Sequence, residues 1–563
     1  MKQSQVPVLI VGGGPVGMAV GAMLRRHGVK SRIVERSDGP TPYSKAVGVH
    51  ANTLESMHAL GLSEQLVSDG RPLHRFRLQE EGRAIMSAGF SGIGSPYEFV
   101  LGLPQSRTER RLLERLQAQG GDVEWRTELV SLRDTAEAAQ AVVRHADGSE
   151  ETIHSRWVVG ADGGRSTVRE LSGIAFPGGD YGRAFILGDV RLDWDGPKED
   201  LQFFLSPNGY LLVVPMPEGL HRVIAQTERR YEDFQTEDRP VATLEELQAI
   251  VDRNGPGGIC VHSPQWLTCA PFYHRCAETP VKGRVLLAGD AFHLYSPLGA
   301  QGLNTGFQDA FNLAWKLAFI EQGWAGPELL QTYADERLEL VQRVGAMTAR
   351  TTRYITATDP VERQLRQELT RQLNDTPKVQ QVLPRLLAGL LQSYGEHARL
   401  SAPSDAGLPA AGGRIPHAWV PDAGGYRPLA SLVHGVSYTL LLLKSVGDES
   451  ALRTLAPAEV AALRAEFPFL QIVLVAREAG ALGEQLPPGV RLVEDRLGEV
   501  GLRLGSQSLP GGVASVLVRP DGYCAQAVRG WDLSQVARYF RERGLGAAAG
   551  SARTPVAAVP AEG

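Results

Sequence analysis

Three glycines and an acid carry the first recognisable chemistry. Gly12, Gly14 and Gly17 stand in GxGxxG spacing within GGGPVG, and Glu35 follows downstream. Gly12 permits a tight turn, Gly14 lets a pyrophosphate approach the backbone, and Gly17 lets a helix lie close on a sheet. Pro15 opens that helix, whose first N–H groups and positive dipole end favour phosphate. Glu35, beside Arg36, can accept hydrogen bonds from a ribose, and its carboxylate repels a 2′-phosphate. The pattern predicts a dinucleotide, either NAD or FAD.

Two further acids end apolar runs far along the chain. Asp162 lies in RWVVGADGGRSTVR, and Asp290 in RVLLAGDAFHLYSPLGAQGLNTG. An aspartate at a strand end suits a chain of sugar-like hydroxyls. Gly289, Pro297, Gly299 and Gly302 keep the second loop tight and open to close backbone approach. Asn304 is expected to cap a long helix whose buried stripe includes Phe307, Phe311 and Trp315. The start of that helix suits a group that becomes anionic on reduction. His221, His293 and Tyr295 are candidate proton-handling groups by type alone, and no nucleophilic triad spacing occurs.

These residues need elements to hold them. An apolar strand at residues 6–11, a helix from Pro15 to His27 and a second strand at 31–34 frame the glycines. Lys45 sits in a Pro-rich loop. Gln105 precedes a helix for which Thr108 is the expected cap. Short strands over residues 123–154 suggest a small antiparallel sheet around the turn Asp147-Gly148. Residues 186–270 are β-rich, with a hairpin signal at residues 206–209. Residues 401–416 are rich in Ala, Gly and Pro and read as a linker. Strands near 438–443, 471–476 and 490–493 then alternate with helices, and Pro457 fits a first helical turn.

The bulk composition narrows the classes. The chain has 563 residues, enough for several domains. A net charge of −5 gives no reason to expect nucleic acid or an anionic membrane as partner. Four cysteines without CxxC spacing suit a reducing cytoplasm and suggest neither disulfides nor a metal site. The first strand begins too near the N-terminus for a signal peptide to be expected. No apolar run approaches the ~20 residues of a membrane span.

Together, GGGPVG with Glu35, GADGGRSTVR and GDAFHLYSPLGAQGLNTG resemble the class A flavoprotein monooxygenases. These are the FAD-dependent aromatic hydroxylases related to para-hydroxybenzoate hydroxylase, phenol hydroxylase and the polyketide and rifampicin hydroxylases. The resemblance covers essentially the whole chain. It implies an α/β architecture with a Rossmann-type FAD-binding domain from residues 1–180 and 270–400. A β-sheet substrate domain (181–269) is interleaved. The linker (401–416), a thioredoxin-like C-terminal domain (417–546) and a disordered tail (547–563) follow. Without CxxC, the C-terminal domain is expected to pack or to form a homodimer.

The resemblance also assigns residues. Gly12, Gly14, Pro15, Gly17, Glu35 and Arg36 would hold the ADP half of FAD. Lys45, Gln105, Asp162, Gly289 and Asp290 would contact other parts of the cofactor. Pro297, Gly299, Gln301, Gly302, Leu303 and Asn304 would face the isoalloxazine. A small aromatic substrate is expected between Phe203, Leu212, Val214 and Pro215 on one side and Pro297, Leu298 and Gly299 on the other. Ala300 and Phe292 depart from the family pattern, and both are expected to add bulk near the flavin.

The activity implied is hydroxylation of a phenolic or polyketide-like ring with NADPH or NADH and O2, through a flavin C4a-hydroperoxide. Baeyer–Villiger oxygen insertion and antibiotic-inactivating monooxygenation are alternatives on the same fold, and a non-catalytic flavoprotein is a remote one. Because the nicotinamide would bind outside the glycine turn, Glu35 does not bear on NADPH use. No WxW supports a halogenase, and no second fingerprint supports a disulfide reductase.

Overall fold

Strand Lys2–Val11 lies inside an eight-stranded sheet, with Val8, Leu9 and Ile10 fully buried. A computed structural model describes residues 2–42, 44, 46–234, 241–395, 398–422, 425–444, 455–477 and 486–547. Lys45 and residues 548–563 of the expected tail lie outside the described residues. The strand pairs in parallel with Ser31–Val34 and with Glu150–Gly160, which in turn pairs in parallel with Val285–Leu287. Val11 aligns with both Val34 and Gly160, and Gly160 with Leu287. The loops that begin at Gly12, Glu35, Ala161 and Ala288 therefore leave one sheet edge together. Carboxyl ends of parallel strands are where such sheets bind ligands.

Helix Pro15–Arg26 and the long helix Gln301–Glu321 pack together beside this sheet. The long helix is buried almost all round, so its polar residues need internal partners. Asn304 does not cap it. The helix begins at Gln301, and Ala300 stands before it with φ +53°. Asn304 instead accepts hydrogen bonds from His50 N (2.9 Å) and Thr53 Oγ1 (2.7 Å) and donates to the Gly48 carbonyl (2.9 Å). Thr108 likewise lies inside helix Gln105–Ala118, which starts three residues before it.

A second eight-stranded sheet runs His293–Leu294, Cys260–Cys276, Gly178–Asp193, Leu220–Arg230, Gly209–Pro215, Asp200–Ser206, Arg75–Glu80, Arg83–Gly89. Its last two strands come from well before residue 181, through parallel pairing of Arg75–Glu80 with Asp200–Ser206. Strand periodicity gives the sheet two apolar faces. Phe204, Leu211, Val213 and Val223 pack under helix Leu244–Asn254. Phe203, Leu212, Val214 and Ile224 face the other way, into the main core.

The C-terminal sheet is mixed. Val490–Glu494, Leu470–Ala476 and Tyr438–Lys444 are parallel, and Val513–Val518 and Cys524–Arg529 add antiparallel strands. Residues 401–416 are not a free spacer. Ala402 N and Asp405 N donate to the carbonyls of Ala525 and Ala527 (both 2.9 Å), and Ile415 is buried. Phe319 and Trp324 pack against Tyr438 and Phe469 of the C-terminal unit.

That junction also contains a buried charge cluster. Arg519 donates to both oxygens of Glu336 (2.5 and 2.9 Å) and to Asp521 (2.6 and 3.0 Å). Lys316 completes the cluster, 2.7 Å from Glu336. Among the described residues no helix is long and apolar enough to cross a membrane.

Candidate functional site

One cavity of about 2090 Å³ joins the glycine turn to the second sheet. At one end, Gly12 has φ +115°, and a Cβ there would lie 2.3 Å from the Ala161 carbonyl oxygen. Only glycine fits this turn. Gly14 has ordinary φ (−75°), yet nothing lies within 4 Å of where its Cβ would be. The open space beside Gly14 faces a helix start with no side-chain cap. Free N–H groups and the helix dipole there favour an anion. Gly17 lies behind the turn, where a Cβ would meet the Gly12 carbonyl oxygen at 2.0 Å.

Glu35 fixes the turn from the neighbouring strand. Its carboxylate accepts from Gly13 N (2.8 Å) and Ser37 N (2.9 Å), and both Glu35 and Arg36 line the cavity. Asp162 lines it as well, but its carboxylate accepts from Ser166 Oγ (2.5 Å) and Val168 N (3.1 Å). It thereby anchors the start of helix Thr167–Leu171. Burial pushes the Asp162 carboxyl up, against the pull of Ser166. Gln105 accepts from Ala46 N (3.1 Å) and donates to Glu109 (2.8 Å), tying Ala46 to helix Gln105–Ala118.

The opposite wall of this end is the loop at residues 289–303. Asp290, Tyr295, Pro297, Leu298, Gly299, Gln301, Gly302 and Leu303 line the cavity. Gly299 (φ +87°) and Ala300 both adopt left-handed backbone conformations. Ala300 is thus the departure that matters, because L-residues are strained there. Its Cβ packs where a Cβ on Gly48 would come within 2.7 Å. Phe292 adds no bulk to the cavity. It is fully buried among Leu287, Val341 and other residues of a separate core cluster.

The far end is apolar. Phe203, Leu212 and Val214 line it with Phe76, Leu78, Met86, Phe90, Ile224 and Phe272. Pro215 lies outside the lining. Helix Leu329–Thr356 and helix Pro377–Leu387 contribute Tyr354, Leu383 and Leu387. Arg222 is the one buried cation on this wall among the described residues. It donates to Asp189 (2.5 and 2.9 Å) and to the Ser44 carbonyl (2.5 Å), and lies over Trp266. A lone arginine in an apolar strand, LHRVIAQ, was its only sequence signal.

The proton-handling candidates do not converge. His293 is fully buried and bonds to Asp309 (2.7 Å), which Arg337 also holds (2.8 Å). It is structural and outside the cavity lining. Burial opposes ionisation of Asp309, but Arg337 and His293 overcome it and hold the carboxyl low. His221 also lies outside the lining, and burial, then Arg71 and Lys198, lower it to about 4. Tyr295 does line the cavity, but its hydroxyl donates to the Val341 carbonyl (3.1 Å) and burial raises it well above its usual range. His50 lines the cavity too, donating to the Gly299 carbonyl (3.0 Å), with burial lowering it to about 4. Asn304, Gly17 and Gly289 lie outside the lining. Among the described residues no cluster of three or more His, Cys, Asp or Glu side chains could hold a metal.

Known proteins agree with this geometry. The family model described as "FAD binding domain" matches residues 5–348. A 6-methylpretetramide 4-monooxygenase from Streptomyces rimosus is 37% identical over 353 residues, covering 62% of this chain and 61% of the relative. A 12-dehydrotetracycline 5-monooxygenase/anhydrotetracycline 6-monooxygenase from Streptomyces rimosus subsp. rimosus is 32% identical over 459 residues, covering 79% and 87%. The solved structure of the anhydrotetracycline hydroxylase OxyS from Streptomyces rimosus aligns with TM-score 0.72 at 28% identity, covering 96% and 99%. The chain spans about three fifths of the length of the first curated relatives it matches. With the glycine cradle, the acids at the strand ends and a family match over more than half its length, the chain belongs to the FAD-binding-domain family of flavoprotein monooxygenases.

Proposed function

We propose that this protein is an FAD-dependent monooxygenase that uses NADPH or NADH and O2 to hydroxylate a phenolic or polyketide-like aromatic ring. One observation carries the reading: a single cavity runs from the glycine turn at an uncapped helix start to an apolar sheet. The residues present fit FAD, because Gly14 leaves open a cradle that any side chain would fill. Gly12, Gly14, Pro15 and Glu35 would hold its ADP half, with Asp290 and Gln105 along its middle. Residues 297–303 would lie against the ring system, with Lys45 as a further cofactor contact.

Bound there, FAD would supply the redox chemistry with the nicotinamide and oxygen. The protein's own part is orientation and exclusion of water. The N–H groups at the start of helix Gln301–Glu321 favour negative charge next to the ring. Phe203, Leu212 and Val214 present a dry surface for an aromatic, opposite Pro297 to Gly299. No side chain is assigned as catalytic base, since His293 and the Tyr295 hydroxyl are engaged elsewhere.

The division into a discontinuous FAD domain and an interleaved substrate sheet belongs to this reading. The order of three parallel strands followed by an antiparallel hairpin supports a thioredoxin-like C-terminal domain. Four free cysteines fit a cytoplasmic location. The test is a screen of phenols and polycyclic aromatics for faster NAD(P)H consumption, with product mass after oxygen-18 incorporation. Ring hydroxylation carrying one labelled oxygen is expected. No stimulation across the panel, or oxygen inserted between ring carbons, would contradict the proposal.

A further inference from the structure

The cavity has a cationic rim that FAD binding at the glycine turn does not explain. Arg165, Arg275 and Arg350 line the cavity, and Arg353 lies one turn beyond Arg350 on the same helix. Arg165, Arg350 and Arg353 are exposed and Arg275 is half-buried. Packing gathers them at one place. Arg275 pairs across the sheet with Leu294, and Leu294 packs against Gly164, next to Arg165. Tyr295 then abuts Gly345, and Ser296 shares a hydrogen bond with Thr352 (2.6 Å), between Arg350 and Arg353.

Most cations in the interior have anionic partners, including Arg222, Arg337 and Arg519. These four have none. Among the described residues, the side chains of Arg165, Arg275, Arg350 and Arg353 form no ion pair and donate no hydrogen bond, and the Arg275 guanidinium lies over the Tyr273 ring. The Arg275 Nε is buried without a partner. Their charges repel neighbouring cations. Burial lowers Arg169, with Arg275 adding to the effect, and burial with Arg353 lowers His274 against the pull of Asp180. Asp180 is engaged with Gly182 N (2.7 Å). Unpaired arginines converging on a cleft form a site for a multiply charged anion.

Resting on the monooxygenase reading, we infer that this rim docks the phosphates of the nicotinamide co-substrate and selects NADPH over NADH through the 2′-phosphate. Arginine forks match phosphate geometry, and the extra phosphate adds charge that four cations reward. Tyr273 and Phe176 line the cavity as well, with Arg275 over the Tyr273 ring (5.2 Å) and Arg169 over the Phe176 ring (3.7 Å).

The test uses FAD-loaded protein, so that the glycine cradle is filled. Calorimetric titration with 2′,5′-ADP and with 5′-ADP compares ligands differing by one phosphate. A preference of about tenfold for 2′,5′-ADP is expected, weakening as salt rises. Arg165→Gln, Arg275→Gln and Arg350→Gln together should remove the preference, while Arg→Lys at the same positions should keep part of it. The KM for NADPH should rise toward that for NADH with kcat little changed. Equal affinity for the two ligands in the unaltered protein would overturn the inference. So would a preference that survives in the triple variant. Loss of FAD from the triple variant would assign the rim to FAD instead and overturn the inference while leaving the proposed function intact. An unaltered protein that takes up no FAD would overturn that function, and the inference with it.

Discussion

Replacing Arg519 with methionine should undock the C-terminal unit. Four buried charges meet there: Lys316 and Arg519 against Glu336 and Asp521, all at most 2% exposed. The cluster is neutral, and Arg519 bridges both acids. Arg519→Met leaves one cation against two acids, a buried net charge of −1. Breaking a buried pair this way costs about 3–5 kcal/mol. That is roughly two to four decades in the docking equilibrium. Adding Asp521→Asn restores a neutral Lys316–Glu336 pair. The double variant should therefore be more stable than Arg519→Met alone.

Scanning calorimetry and timed proteolysis around residues 401–416 read the effect. The unaltered protein should melt as one unit, and Arg519→Met should show an earlier transition with cleavage near that segment. An unchanged midpoint would refute the reasoning. So would a double variant less stable than the single one by the full additive sum.

Acid should weaken the same junction. Burial works against ionisation of Glu336, but Arg519 and Lys316 hold its carboxyl at about 2. A depressed carboxylate stabilises the fold above its unfolded value of 4.5, and that contribution, about 3 kcal/mol, is lost as pH falls toward 2. Glu336→Gln should flatten the melting-temperature profile in that window, and an unaltered profile would contradict the assignment. Gly14→Val should abolish FAD binding without altering the melting temperature of FAD-free protein, because the new side chain enters empty space; normal flavin absorbance after reconstitution would refute the cradle. Asp290→Ala should lower FAD affinity in the same assay, and unchanged occupancy would remove Asp290 from the site. Ala300→Gly should stabilise by about 0.5 kcal/mol, the relief of left-handed strain less the added chain entropy. Gly48→Ala should destabilise on its own and be tolerated better beside Ala300→Gly, since the clash is with the Ala300 Cβ.

The parts of the site that are local in sequence could be read from it. Gly12, Gly14 and Glu35 sit in one strand–turn–helix–strand unit, where spacing determines geometry. Asp162 and Asp290 were readable because each ends a parallel strand, and parallel strands in register bring their ends together. Parts that depend on tertiary packing were not legible. Asn304 looks like a cap by type and position, yet the helix starts earlier and its amide ties residues 48–53 instead. His293 has the type of a catalytic group but faces Asp309 inside the core. Leu383 and Leu387 carry no local sign that their helix lines the apolar end. The strands at 75–89 join the second sheet through a long-range parallel pairing that their own sequence does not announce.

The central claim is that one cavity holds FAD at the glycine turn and an aromatic ring against the second sheet. A crystal structure of the FAD-loaded protein soaked with a polycyclic phenol tests it most directly. The pyrophosphate should lie against Gly12 to Gly14, the ring system along residues 297–303, and the phenol between that loop and Phe203, Leu212 and Val214. Flavin bound away from Gly14, or a phenol bound outside this cavity, would contradict it.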